Sequence, residues 1–255
     1  MSDLGLTLRQ VRYTNKAFWR NPASAFFTFA FPLMFLVIFT SLLGNGTVKL
    51  GGLLVKQSSY YVAGMAAFSV ISACYTNIAI SVTFNRDAGI LKRVRGTPLP
   101  GGAYVLARII HAILVGIILV TICAAFGKVF YSAVLPSGAT LGKFAVMLIV
   151  GAASFAALAL AVTAAIPNAD ASPAVVNASI LPLLFLSGIF IPLGDNAPTW
   201  MKWVARIFPV KHFADGMGAG FIGLPFRWRD VLVVALWGVA GLILASRYFS
   251  WEPRR

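Results

Sequence analysis

The residue types that carry acid–base, nucleophilic or metal chemistry are scarce in this sequence and far apart. The chain has two histidines, two cysteines and seven acidic residues among 255. Cys74 and Cys123 both fall inside apolar runs, and neither stands near a histidine or a carboxylate in sequence. Because metal sites and activated nucleophiles need several such groups together, we predict no catalytic residue and no metal site in this chain.

Nucleotide-binding motifs are not convincing either. Residues 218–223 match G-x-G-x-x-G, but no predicted strand precedes them and no crossover unit surrounds them, so a dinucleotide site is not expected. The sequence contains no Walker A motif. If the protein moves a solute uphill, the energy is expected to come from another chain.

The residue spacing with the clearest functional meaning lies in a short charged segment, residues 85–100, which read NRDAGILKRVRGTPLP. Its apolar residues Ile90, Leu91 and Val94 can share one side of a short helix, and basic residues surround them. A helix with an apolar side and a basic side suits docking onto a soluble partner. The alternative is a plain basic loop that only sets membrane topology. The basic residues are Arg86, Lys92, Arg93 and Arg95.

Composition places this charged segment in a membrane protein. Hydrophobic residues make up 59% of the chain, charged residues only 11%, and the mean hydropathy is +0.85, whereas soluble proteins carry about 25% charged residues. The net charge is +14, but the Lys and Arg residues occur in separate clusters between apolar runs. Anionic lipid head groups, and not nucleic acid, are therefore the expected counter-charge.

Six apolar runs predict an all-α integral membrane protein with six transmembrane helices. Residues 4–20 precede them and have the pattern of an amphipathic helix in the head-group plane, and residues 200–208 predict a second interfacial helix with aromatic anchors. Residues 213–226 are apolar but rich in glycine, which favours a re-entrant segment before the last span. We treat residues 1–255 as one transmembrane domain, with an interfacial helix at 1–22 and a six-span bundle at 23–250. The predicted spans are residues 23–43, 58–84, 103–127, 144–166, 171–192 and 231–246.

Polar side chains inside two of these spans predict either helix packing or a substrate route. Both interpretations stay open, because hydroxyl and amide groups in a span commonly bond a neighbouring helix. In the second span the residues are Ser69, Ser72, Thr76 and Asn77, and in the fifth they are Asn177, Ser179 and Ser187.

An even number of spans places both termini on one side of the membrane. That side would carry 12 Lys and Arg residues against 9 opposite, or 12 against 4 when the loop after Pro192 is omitted. Since basic residues favour the cytoplasmic side, we expect cytoplasmic termini and a cytoplasmic segment 85–100.

The order of these elements resembles the type 2 permease family of ATP-binding-cassette exporters. The resemblance rests on RDAGILKR at residues 86–93 followed by Pro98, and on FLSGIFIP at residues 185–192 followed by Trp200 and Pro209. It implies a dimer of permease subunits, alike or different, with separate cytosolic ATPase subunits that hold ATP and Mg, and no cofactor in this chain. It also implies that spans two and five line the substrate route. The coupling helix that meets the ATPase would contain Arg86, Asp87, Gly89, Ile90, Leu91, Lys92, Arg93, Val94 and Pro98.

The expected function is therefore that of a permease subunit, not itself an enzyme, in a cell-membrane exporter of drug-like, lipid-like or glycan cargo. The alternative is a non-transporting anchor or assembly subunit that recruits a cytosolic partner through residues 85–100. An ion-coupled carrier is disfavoured, because such carriers commonly keep ionisable residues inside their spans. Here the aspartates Asp87, Asp170, Asp195, Asp215 and Asp230 lie at span ends or in loops.

Overall fold

The computed structural model describes residues 3–43, 46–50, 53–192 and 197–253. Within these ranges the chain forms eleven α-helices, one π-helical turn at Ser72–Thr76 and one antiparallel hairpin. The hairpin pairs β1 (Thr47–Leu50) with β2 (Leu53–Lys56), inside a segment that reads as a loop from sequence. The helices are α1 (Asp3–Trp19), α2 (Pro22–Leu43), α3 (Gln57–Ile71), α4 (Asn77–Asp87), α5 (Ile90–Arg95), α6 (Gly101–Tyr131), α7 (Ala139–Val162), α8 (Ser172–Leu186), α9 (Thr199–Ile207), α10 (Pro209–Ile222) and α11 (Trp228–Tyr248).

Five helices in the described part of the chain are long and apolar enough to cross a bilayer, which confirms a multi-pass, largely helical membrane protein. They are α2, the continuous helix Gln57–Asp87 that joins α3 to α4 through the π turn, α6, α7 and α11. The predicted fifth span falls on α8, whose 15 residues are fewer than the roughly 20 that a bilayer requires. Helix length therefore does not confirm six spans.

Side-chain contacts show which helix ends lie together. At the end that carries α5, which we call the α5 end, Arg86 of α4 reaches the turn between α7 and α8, and Trp251 packs on Tyr104 of α6. At the other end, called the hairpin end, the Ser59 hydroxyl accepts a hydrogen bond from Val134 N–H, and the Tyr60 hydroxyl donates to the Gly188 carbonyl. Helix α8 therefore runs from the α5 end to the hairpin end, antiparallel to the helix Gln57–Asp87.

Helices α7 and α11 pack in direct backbone contact. A Cβ atom at Gly238 would lie 2.4 Å from Ser154 Oγ, and one at Gly241 would lie 2.9 Å from the backbone nitrogen of Leu158. Because no side chain fits at these two positions, the glycines allow α11 to approach the alanine-rich face of α7. This pair forms one wall of the core that supports α3 and α10.

The glycine-rich segment 213–226 is more regular than the sequence indicated. It is helical up to Ile222 as part of α10, and Gly216, Gly218 and Gly220 lie inside that helix. The segment is helical because burial against α7 outweighs the weak helix propensity of glycine, and its re-entrant path stays a prediction. The preceding helix, α9, exposes Trp200, Trp203 and Ile207 on one side.

The predicted N-terminal amphipathic helix is present as α1. The side of α1 that packs against the protein is not the side that carries Leu4 and Leu8. Thr7 and Thr14 are buried, with Val11 and Phe18 half-buried on the same side, facing α6. Leu4 and Leu8 are exposed instead. Protein contact therefore uses the side with small polar residues and leaves the strongly apolar leucines outside the bundle.

Candidate functional site

The largest cavity that bears on the predicted route lies between α2, the helix Gln57–Asp87 and α8. Its volume is about 760 Å³, which is within the range of ligand sites in proteins. Four of the seven predicted route residues line it, namely Ser72, Thr76, Asn77 and Asn177. The structure therefore brings polar groups from two predicted spans to one cavity.

The π turn explains how Ser72, Thr76 and Asn77 all face this cavity. The Asn77 backbone N–H donates to the Ser72 carbonyl, an i→i+5 bond that adds one residue to the turn. The extra residue rotates everything downstream relative to α3. Ser72, Thr76 and Asn77 consequently all line the cavity, an arrangement that a uniform 3.6-residue period does not predict.

The other three predicted route residues serve helix packing. The Ser69 hydroxyl donates to the Met65 carbonyl and lies 3.5 Å from Cys123 Sγ of α6. The Ser179 hydroxyl is 2.8 Å from the Tyr75 hydroxyl, and buried Ser187 bonds the Leu184 carbonyl. None of these three lines the cavity between α2, α4 and α8 in this conformation, so a place on the substrate route stays a prediction for Ser69, Ser179 and Ser187.

Sequence reasoning missed the contribution of α2 to this cavity. Ser24 and Thr28 stand four residues apart and line it, as do the aromatic rings of Phe27 and Phe31. The i, i+4 spacing of the two hydroxyl residues can be read from the sequence of the first predicted span. It does not stand out there, because most residues of that span are apolar. Further lining residues not predicted from sequence are Asn21, Pro32, Phe68, Ile80, Ser81, Phe84, Asn85, Ile180, Leu181 and Leu184.

The charged segment forms a short helix, α5, that is anchored by one residue and displays others. Gly89 precedes it with φ of +68°, a conformation that glycine adopts without strain. Leu91 is 0% exposed and belongs to the core, whereas Ile90 is 41% exposed. Leu91 does not present its side chain on the surface in this conformation, and its contact with a partner stays a prediction. Of the remaining residues, Gly89 and Val94 are half-buried, and those exposed are Lys92, Arg93, Arg95 and Pro98.

Arg86 is also inside the protein and not on the docking surface. It is 2% exposed, and its guanidinium donates to the carbonyls of Thr163, Ile166 and Pro167 at 3.0–3.2 Å. Its Nε donates to Asp87 at 3.0 Å, and Asp87 Oδ2 accepts from Ala169 N–H. A cation at the carbonyl end of α7 is electrostatically favourable. Arg86 and Asp87 together bind the end of α4 to the turn between α7 and α8. A direct contact of Arg86 with a partner stays a prediction, which its burial in this conformation does not support.

A second polar contact joins α9 and α10 to Asp230, near the start of the candidate span α11. His212 Nδ1 lies 2.6 Å from Asp230 Oδ1, and His212 Nε2 lies 2.9 Å from the Arg206 carbonyl. Because a carbonyl only accepts, Nε2 must carry a proton, and the carboxylate favours a second proton on Nδ1. The hydrogen bond to Asp230 raises the pKa of His212, although burial opposes it.

The described residues contain no group of three His, Cys, Asp or Glu side chains placed to hold a metal ion. The titratable contacts found there are structural: Arg86 and Asp87 bind the turn between α7 and α8, His212 of α10 bonds Asp230 of α11, and Lys211 pairs with Asp215 within α10.

Comparison with known proteins agrees with this architecture. The putative transport permease ycf38 of Porphyra purpurea is 24% identical over 224 residues, which are 86% of this chain and 75% of that protein. The putative transport permease YvfS of Bacillus subtilis is 20% identical over 89% of this chain and 90% of that protein. The probable multidrug ABC transporter permease YbhR of Escherichia coli is 24% identical over 54% of this chain and 36% of that protein. A family model described as ABC-2 type transporter matches residues 7–222. This chain therefore belongs to the ABC-2 type transporter family, as a permease subunit.

Proposed function

We propose that this chain forms half of the membrane pathway of an ATP-driven exporter. The observation that carries the proposal is the short distance in sequence between the cavity and the exposed basic helix. Asn85 lines the cavity, Arg86 binds the turn between α7 and α8, and α5 begins at Ile90. A force on α5 would thus reach the cavity wall through one end of α4.

The same contacts would carry movement to the other cavity wall. Asp87 accepts a hydrogen bond from Ala169, only three residues before α8 begins. Asn177 of α8 and Asn77 of α4 both line the cavity. Displacement of α5 would therefore move two of the cavity's three walls together, which is the behaviour required to open or close a route.

We further propose that α8 is the sixth crossing and that α9 and α10 enter the bundle from the hairpin end. The contacts of α8 at both ends of the bundle support the crossing, and residues 187–192 continue the chain past the helix as turns and bends at the hairpin end. Gly220, near the end of α10, approaches Pro136 and Phe144 at the hairpin end, whereas Phe213 packs deeper, on Phe155 of α7. Such a path is typical of a re-entrant segment packed within protein.

The working assembly would contain a second permease subunit and separate ATPase subunits that bind ATP and Mg. Family membership implies an ATP-binding partner and dimerisation. Helix α2, which forms one wall of the cavity, is mostly unburied in a single chain. We place it at the contact with the second permease, and place α5 with both termini on the cytoplasmic side of the cell membrane.

The lining of the cavity favours an amphipathic cargo. Aromatic rings from Phe27, Phe31 and Phe68 stand opposite amide groups from Asn77 and Asn177. Apolar walls with a few oriented polar groups suit drug-like or lipid-like molecules. The name of the Escherichia coli relative, a probable multidrug permease, is consistent with such cargo.

Transport by the complex reconstituted in vesicles tests this proposal. Thr76→Leu and Asn177→Leu should change the order in which a panel of amphipathic compounds is exported, because both side chains line the cavity. Thr121→Leu is the matched control, since Thr121 is exposed on α6 and bonds its own helix. The control should keep the wild-type order.

The proposal fails if all three variants export the same compounds in the same order as the wild type. It also fails if a purified complex binds a cytosolic partner but moves no compound on addition of ATP, which is the behaviour of an anchoring subunit.

A further inference from the structure

A second cavity, which we call the α1 cavity, lies between α1, α4 and α6 and has no assigned role. Its volume is about 250 Å³, enough for several water molecules or one small polar group. Arg108 and His111 of α6 line it, opposite Thr14 and Phe18 of α1. Asn77 and Asn85 line both this cavity and the larger one.

Arg108 brings a positive charge to the α1 cavity without a carboxylate partner among the described residues. Its guanidinium donates to the Tyr104 hydroxyl at 3.0 and 3.2 Å and lies 3.4 Å from Ser81 Oγ, so its protein partners are neutral. No Asp or Glu lines the cavity. A half-buried guanidinium has five N–H donors, and three weak contacts to hydroxyls leave donors available.

His111 adds an unmatched polar group beside it. The residue is 9% exposed, its ring packs edge-on against Phe18, and its Nε2 has no hydrogen-bond partner in the structure. Buried polar atoms are normally paired, and one that is unpaired calls for a ligand, a water molecule or an ion. Asn77 and Asn85 offer amide N–H groups to the same space.

We propose that the α1 cavity binds a phosphate group. The combination of a guanidinium bonded only to neutral hydroxyls, an unpaired imidazole nitrogen and amide donors, with no carboxylate in the lining, is the donor set that recognises an oxyanion. The cavity lies under α1, whose exposed side carries Arg9, Arg12 and Lys16 and would attract anionic head groups. The phosphate can belong to a phospholipid head group or be a free ion, because both present the same oxyanion to the cavity.

Binding to the purified full-length protein in neutral detergent, with bound lipid removed, tests the proposal. Native mass spectrometry would measure dioleoylphosphatidylglycerol binding, with dioleoylglycerol as the analogue that lacks phosphate. Calorimetry would measure inorganic phosphate. Arg108→Gln should weaken binding at least about tenfold, as expected for loss of a charge-assisted hydrogen bond. Arg247→Gln, an exposed arginine at the same end of the bundle, should change it less than about twofold.

Binding of the phospholipid but not of phosphate, lost in Arg108→Gln, supports the proposal and identifies a lipid head group as the source. Binding of inorganic phosphate that depends on Arg108 supports it with a free ion. Equal binding of dioleoylglycerol, equal losses in the two arginine variants, or no binding of either probe overturns it. Should Arg108→Gln fail to fold, His111→Leu keeps the ring contact apolar and removes the free nitrogen, and should weaken binding in the same assay.

Discussion

Arg86 shows how a residue chosen from sequence for one role performs another. Its charge and its place in the basic segment suggested a surface contact, yet it is buried against three carbonyls and Asp87. The sequence could not reveal this, because the acceptors lie about 80 residues away, in the turn after α7. The position of the segment between two apolar runs was predictable, and the burial of individual side chains was not.

Replacing Arg86 by Met should lower the free energy of unfolding by about 3 kcal/mol, since three carbonyls and a carboxylate lose their buried cationic partner. Denaturation in detergent, followed by tryptophan fluorescence, measures the change. Arg93→Met is the matched control because Arg93 is exposed on α5, and it should shift stability by no more than about 0.5 kcal/mol. Similar losses in both variants would contradict the structural role given to Arg86.

His212 should make stability depend on pH. Its pKa is raised in the folded protein by Asp230, so its stabilising contribution is complete below the ordinary value of 6.5 and is lost as pH rises through the raised pKa. Asp215, which is paired with Lys211, also favours the protonated ring. The melting temperature of the wild type should exceed that of His212→Gln at about pH 6, and the difference should shrink by about pH 9. If the difference in melting temperature between the wild type and His212→Gln is the same at both pH values, the stabilising role of protonated His212 is contradicted.

At the level of helices, the apolar runs predicted where most helices lie in the sequence, but not which side chains of each helix face the cavity. The apolar runs correctly predicted α2, α6, α7 and α11, because length and hydropathy suffice for a span. The π turn in the helix Gln57–Asp87 is a local event with no sequence signature, and it separates Ser69 from Thr76 and Asn77. Of the predicted polar residues of this helix, Ser72, Thr76 and Asn77 therefore line the cavity, whereas Ser69 packs against α6.

Helix α5 should depend on Leu91 for its position and not on Ile90. Leu91 is fully buried, so Leu91→Ala should cost about 2–5 kcal/mol of stability through lost packing and a cavity. Ile90→Ala, at the adjacent exposed position, should cost less than about 1 kcal/mol. Unfolding of the two variants in the same detergent makes the comparison. Equal losses of stability in Leu91→Ala and Ile90→Ala would contradict the conclusion that Leu91 holds α5 against the bundle. The same burial means that Leu91→Asp would damage the fold itself, and is a poor test of partner binding.

At the level of the whole protein, the proposed membrane orientation rests on the distribution of basic residues, and the contacts at the two ends of the bundle are consistent with the proposed sixth crossing. Single cysteines at Thr97 or Asn168, both exposed at the α5 end, should be shielded from a membrane-impermeant thiol reagent in intact cells. One at Ser137, exposed at the hairpin end, should label. The native Cys74 and Cys123 are buried and provide the unlabelled background. Labelling of Thr97 from outside would invert the orientation.

The family and the helical membrane class were predictable from sequence because they rest on patterns repeated over the whole chain. The cavity was predictable only in part, since it depends on which helices are neighbours. Ser24 and Thr28 of α2 join Asn177 of α8 although about 150 residues separate them. Hydropathy carries no information about that pairing.

The central claim is that α5 receives force from an ATPase through its exposed residues while Leu91 and Arg86 hold it to the bundle. The most direct measurement is ATP hydrolysis that co-purifies with the tagged permease from its own membranes. Ile90→Asp places a charge on the exposed apolar position of α5, and Leu54→Asp does the same at the hairpin end. Both variants should insert and melt like the wild type, because both positions are exposed. The account predicts that Ile90→Asp loses the co-purifying hydrolysis and that Leu54→Asp keeps it. Full hydrolysis and cargo export with Ile90→Asp would contradict the account and leave α5 as a basic loop that only sets topology.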